Sequence, residues 1–161
     1  MRGCMRAWAL HAARRPPIAV GIPATLWLGS AEYAHENLLL SAEYSRWIVR
    51  TDSNSPAVPS GRTVSERGYA MAAYRLTPWL QPGAYYSLLF PDIHHRDGRQ
   101  QVQHDVAGTL RFDVNAHWIV KLEGHFMSGT AGLAAALNDG RSPADLTKNW
   151  GVFLVKTTAY F

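Results

Sequence analysis

The stretch Val106-Ala107-Gly108-Thr109-Leu110-Arg111-Phe112-Asp113-Val114 decides the fold class. Val106, Gly108, Leu110, Phe112 and Val114 alternate with Ala107, Thr109, Arg111 and Asp113. A period of two puts one set on each face of a β-strand, because successive side chains point to opposite sides. The run 118–127 repeats the pattern: Trp118, Val120, Leu122, Gly124 and Phe126 share a face, and Lys121, Glu123 and His125 share the other. The run 150–161 sets Gly151, Phe153, Val155, Thr157, Ala159 and Phe161 against Lys156, Thr158 and Tyr160.

Four earlier runs read the same way. In 24–36, Trp27, Gly29, Ala31 and Tyr33 oppose Ser30 and Glu32. In 37–50, Leu38, Leu40, Ala42 and Tyr44 oppose Ser41, Glu43 and Ser45. In 67–77, Ala70, Ala72, Tyr74 and Leu76 oppose Met71, Ala73 and Arg75. In 84–93, Tyr86, Leu88 and Phe90 oppose Tyr85, Ser87 and Leu89. The expectation is an all-β, antiparallel up-and-down sheet of about seven strands, each near the ten residues that a tilted bilayer crossing takes. No helical period of comparable strength is present.

The connections alternate in length. Those at 35–37, 78–83 and 115–117 are short; those at 51–66, 94–103 and 129–149 are long. The long ones hold turn formers, as in Ser53-Asn54-Ser55-Pro56 and Asn138-Asp139-Gly140-Arg141-Ser142-Pro143. Short turns at one end and long loops at the other is the arrangement of outer-membrane barrels. A soluble β-meander has no reason to sort its loops.

Composition agrees. The 161 residues are 47% apolar but only 17% charged, below the roughly 25% usual in soluble domains. Aromatics reach 11%, with 6 Trp and 7 Tyr, and no apolar run is long enough for a transmembrane helix. Periodicity alone does not separate a membrane wall from a soluble sandwich, since both alternate. Small residues on the apolar face (Gly108, Gly124, Gly151, Ala159) favour the wall, because they would leave holes in a packed core. So do aromatics near strand ends, which suit membrane interfaces: Tyr33, Trp79, Trp118 and Phe161 at the short-turn side, Phe90 and Phe126 toward the loops.

The net charge of +4 is scattered, which points away from nucleic acid. Cys4 stands alone, without a disulfide or metal partner. Residues 1–23 read as a non-barrel segment, not native barrel sequence, ahead of the barrel segment 24–161. Arg2, Arg6, Arg14 and Arg15 surround a short apolar run that His11 interrupts, so no signal peptide is recognisable.

The ending Trp150-Gly151-Val152-Phe153-Leu154-Val155-Lys156-Thr157-Thr158-Ala159-Tyr160-Phe161 resembles the final strand of bacterial outer-membrane porins. Asp113-Val114-Asn115-Ala116-His117-Trp118-Ile119-Val120-Lys121-Leu122-Glu123-Gly124-His125 resembles the turn and penultimate strand of the phosphate-selective porin-like group. The resemblance covers the last sixty or so residues. It implies an outer-membrane channel for passive diffusion of small hydrophilic solutes or ions. It also implies Phe161 as the signal read by the barrel-assembly machinery, outer-membrane lipid and lipopolysaccharide as surroundings, and a possible homotrimer. Porins have about 16 or 18 strands, so the chain is expected to be the C-terminal part of a larger barrel, an incomplete or open sheet on its own.

The expected pore-lining residues are Glu43, Arg75, Arg111, Asp113, Lys121, Glu123 and Lys156. They either set ion preference as rings of fixed charge or pair across strands as an ordinary wetted wall; pairing is favoured. No cofactor or metal site is expected: adjacent His94 and His95 point to opposite faces, and His104, His117 and His125 are far apart in sequence. A hydrolase is disfavoured because His125 and Ser128 fall on opposite faces by parity. The rivals to a channel are a non-conducting barrel acting as anchor or adhesion module, and a soluble β-sandwich that binds a ligand.

Overall fold

The computed structural model describes residues 18–161; the expectations placed on Cys4 and on the arginine-rich start lie outside them. The described chain is all-β. Its strands are β1 (Val20–Gly21), β2 (Ala24–His35), β3 (Leu38–Ser53), β4 (Gly61–Tyr74), β5 (Leu80–Phe90), β6 (Gln103–Asn115), β7 (Trp118–Gly129) and β8 (Asn149–Ala159). All pairings are antiparallel. β1 and β2 pair with β3, and from β3 onward each strand pairs with the next. β8 does not return to β1 or β2, so the sheet is open.

Seven strands are long, and β1 is an addition to the seven runs read from the sequence. Pro23 accounts for the break between β1 and β2, because it has no N–H to give to a ladder. Its carbonyl still accepts from the Arg50 N–H at 3.0 Å, so the chain stays beside β3 across the gap.

Strand ends move in two places. β3 and β4 reach well into the segment 51–66 read as loop; only 54–60 connects them. Beyond Val49 and before Gly68 both faces carry polar side chains, so there is no alternation to read, yet Arg50 pairs with Arg62 and Thr51 with Gly61. β5 starts at Leu80 rather than Ala84 and takes in Pro82. Leu80 turns its N–H and carbonyl toward Thr77 and Leu76, so Pro82, two residues on, turns the same way. The β4–β5 ladder stops at Ala73–Gly83, so Pro82 withholds a donor that no strand was waiting for.

The register sorts the faces. One face carries Ala31, Ala42, Ala70, Tyr86, Val106, Phe126 and Gly151 as successive cross-strand partners, and Tyr33, Leu40, Ala72, Ala84, Gly108, Gly124 and Phe153 as the next row. These rows hold no charge. They are also open: Phe126 is 74% exposed, Phe153 69% and Val106 56%. The opposite face carries charged residues along its length and is shielded over β6 and β7, with Ala107 at 1%, Glu123 at 3% and Asp105 at 7%. Strands pack on their sheet neighbours, β7 also touches the segment Arg99–Gln101 of the β5–β6 connection, and no second sheet covers the apolar face among the described residues.

The loops are folded. Arg99–Gln101 in the β5–β6 connection, and Ala135–Leu137 and Pro143–Asp145 in the β7–β8 connection, form single 3-10 turns. The two connections brace one another: the Thr130 N–H donates to the Arg99 carbonyl at 2.6 Å, and the Arg99 guanidinium donates to the Leu146 carbonyl at 2.9 Å. Thr130 Oγ1 donates to the Pro143 carbonyl at 2.7 Å, and Thr130 and Leu146 are buried. The turns at 36–37 and 116–117 are tight, with Glu36 in a left-handed conformation at φ 49°.

Candidate pore-lining face

Three polar clusters climb the shielded face from the short-turn end toward the loops. The lowest joins three of the expected residues. Asp113, near the end of β6, accepts from the Arg75 guanidinium at 2.7 Å and from Arg111 Nε at 2.8 Å. Arg75 sits just past β4, in the turn, and also donates to the Pro78 carbonyl and to Gln81 Oε1. One carboxylate thus ties the β4–β5 turn to β6, and the cluster keeps one positive charge.

The middle cluster joins three more. Arg111 is the cross-strand partner of Lys121, and Lys121 of Lys156. Cations directly opposite one another repel. Glu123 answers this on β7: its carboxylate contacts Lys121 Nζ at 2.7 Å and closes on Lys156 Nζ as well. The carboxylate is almost wholly shielded, while the two lysine side chains remain 40% and 56% exposed. Again two cations share one anion.

The upper cluster was not legible in the sequence. Tyr85 on β5, Asp105 on β6 and His125 on β7 converge. The Tyr85 hydroxyl lies 3.2 Å from Asp105 Oδ2 and 3.0 Å from His125 Nδ1, and His125 Nδ1 lies 3.1 Å from Asp105 Oδ2. The Tyr85 and His125 rings meet edge to face at 5.5 Å. Parity placed Tyr85 and His125 on the polar face, but only the register, with Ala107 opposite both Tyr85 and His125, brings them to one spot.

Glu43 is the expected residue that joins nothing. It lies between Ser30 and Tyr69 on the same face, and no cation pairs with it among the described residues. Phe161 lies beyond β8, fully exposed, after Tyr160, whose N–H reaches the His117 carbonyl at 2.8 Å.

Other candidates are placed as follows. Ser128 pairs with His104 and Asn149, so its side chain takes the opposite face from His125. His95 Nδ1 lies 2.8 Å from Asp92 Oδ2 in the β5–β6 loop. The His94 N–H donates to Asp92 Oδ1, and these two histidine contacts hold the Asp92 carboxyl below its ordinary value. No group of three or more His, Cys, Asp or Glu is positioned to hold a metal among the described residues. No helix there is long and apolar enough to cross a membrane, which says nothing about crossing by strands.

The fold and this face define an open, antiparallel, up-and-down sheet with one apolar and one ionised side. No protein-family model matches the chain, and neither a curated protein nor a solved structure matches it.

Proposed function

We propose that the sheet is part of the wall of an outer-membrane channel, apolar side to lipid and ionised side to a water-filled lumen. The observation that supports it most is the inverted exposure: Phe126, Phe153 and Val106 lie open while Glu123 and Asp105 are shielded. A soluble protein buries its apolar side; a barrel in hydrocarbon does the reverse. A soluble sandwich would need a second layer over Val106, Phe126 and Phe153, and none lies there among the described residues.

Catalysis is not needed. A polar lumen keeps a water column, and fixed charge along the wall biases which ions enter. The two lower clusters each carry two cations against one anion, so this part of the wall favours anions. In hydrocarbon the free edges at β2 and β8 need partners, because unsatisfied backbone groups are costly there. Further strands, from the same gene product or from other copies, would close the barrel.

A second reading rests on the braced loops. Arg99, Thr130, Pro143 and Leu146 hold the connections 91–102 and 130–148 as one folded cap. If the cap occludes the lumen, the barrel is an anchor or adhesion module. Planar-bilayer recording of the assembled protein, with swelling of liposomes that contain it, tests both. Stepwise conductance, with a reversal potential displaced toward anions in a salt gradient, supports the channel. Insertion without conductance or swelling supports the anchor.

A further inference from the structure

The charges on the apolar face are confined to its loop end. Arg46 on β3 is the cross-strand partner of Glu66 on β4, and Arg50 is the partner of Arg62. Arg96 reaches over from the β5–β6 loop: its guanidinium contacts Glu66 at 3.5 Å and lies 4.5 Å above the Phe90 ring. Arg46 Nε is 3.8 Å from the same carboxylate, and the Tyr44 hydroxyl donates to it at 2.8 Å. Two arginines, Arg46 and Arg96, therefore share the Glu66 carboxylate, and two more, Arg50 and Arg62, lie one step further toward the loop end.

Arg50 and Arg62 are the unusual pair. They are exposed, directly opposite, and no acidic group pairs with either among the described residues. Asp52, farther along β3, forms no ion pair with them. Two guanidinium groups in that register repel, so the pair calls for an anion from outside.

A second observation says what carries that anion. Directly below, on the same face, is a shallow groove of about 550 Å³. Gly29, Ala31, Ala42, Gly68 and Ala70 line it, with Tyr44 and Tyr86 beside it. Small residues on adjacent strands leave a trough beside Tyr44 and Tyr86, and the Tyr44 hydroxyl links it to Glu66 one row up. An apolar trough that runs up into a surplus of guanidinium groups fits an amphiphile. Arginine forks match phosphate oxygens in a bidentate fashion. The two arginine rows lie four residues apart, roughly 13 Å at the usual strand rise, which spans a head group with more than one phosphate.

We infer that this end of the apolar face is a binding site for a multiply phosphorylated lipid, its phosphates between Arg50, Arg62, Arg46 and Arg96 and one acyl chain in the groove. The inference rests on the membrane reading above, since only a chain in a bilayer meets such a lipid there.

The test uses Arg50→Gln/Arg62→Gln, whose side chains have no partners to lose, and Ala70→Phe, which fills the groove. Wild type and variants are inserted into phosphatidylcholine vesicles that contain bis-phosphorylated lipid A, extracted gently, and weighed by native mass spectrometry. Wild type should retain bis-phosphorylated lipid A over its dephosphorylated form, and each variant should retain about tenfold less. In lipid-free detergent, Arg50→Gln/Arg62→Gln should unfold no more readily than wild type, because it relieves repulsion. Equal retention of phosphorylated and dephosphorylated lipid, or undiminished retention in both variants, would overturn the site. Full displacement by millimolar inorganic phosphate would also overturn it, showing a free-phosphate site. Failure of wild type to enter vesicles at all would instead sink the membrane reading beneath it.

Discussion

Lys121 and Lys156 face each other directly across β7 and β8, and the single carboxylate of Glu123 contacts both. The like-charged pair is tolerable only because that acceptor sits beside it on the same face. β8 is the last strand of the sheet, so this contact helps fasten its edge.

Glu123→Gln should therefore loosen β8. Removing the anion leaves two ammonium groups opposed, at a cost of about 1–2 kcal/mol, less than a fully buried pair because both lysines reach solvent. Urea unfolding of the micelle-bound protein reads it. Adding Lys156→Met should recover most of the loss; a loss that Lys156→Met leaves unchanged would show that the repulsion is not its cause.

Asp113→Asn should shift ion preference. It frees the guanidinium groups of Arg75 and Arg111 on the shielded face. In a salt gradient the reversal potential should move further toward anions, and Arg111→Gln should move it back. An unchanged potential in both variants would place this cluster away from the ion path.

Gly129→Ala should disrupt the loop cap. Gly129 adopts φ 102°, and a Cβ there would meet the Val102 carbonyl oxygen at 1.9 Å. Left-handed backbone alone costs a side chain about 1 kcal/mol, and here the neighbour is main chain that cannot swing aside. Its N–H also donates to the Lys148 carbonyl at 2.8 Å, closing the base of the loop. Limited proteolysis between 130 and 148 should become several-fold faster, while the strands stay protected.

Strong acid should loosen the β5–β6 loop by protonating Asp92. The carboxyl of Asp92 is held low by His95 and by the His94 N–H, so its folded pKa lies below the ordinary 3.8. A depressed carboxyl contributes stability that is present above its unfolded pKa and lost as pH falls through the folded value. The His94 amide resonance should titrate with a midpoint below 3.8, and Asp92→Asn should abolish that titration. A midpoint at or above the ordinary value would mean that the contacts do not form in solution.

Strand identity was legible where one face is apolar and the other polar, as in 106–114 and 118–127, because alternation is then forced. It was not legible where both faces are polar: Thr51, Asp52 and Ser53 continue β3, and Gly61 to Glu66 begin β4, with no contrast to mark them. Pairs two apart on one strand, Lys121 with Glu123 and Arg111 with Asp113, could be read from parity, and the structure forms both. Contacts that depend on register could not. Tyr85 meets His125 across β6, Arg75 reaches Asp113 from a turn, and Arg46, Glu66 and Arg96 gather from two strands and a loop.

The central claim is the direction of the apolar face, and site-directed spin labelling measures it directly. With Cys4 replaced by Ser, single cysteines are introduced along β6 and β7 at Val106, Gly108, Thr109, Arg111, Lys121 and Gly124, and labelled in lipid vesicles. Labels at 106, 108 and 124 should collide with oxygen dissolved in the bilayer, and those at 109, 111 and 121, on the other face and partly open, with a water-soluble nickel complex. Labels at 106, 108 and 124 that meet only the nickel complex, or no relaxant at all, would contradict a lipid-facing wall.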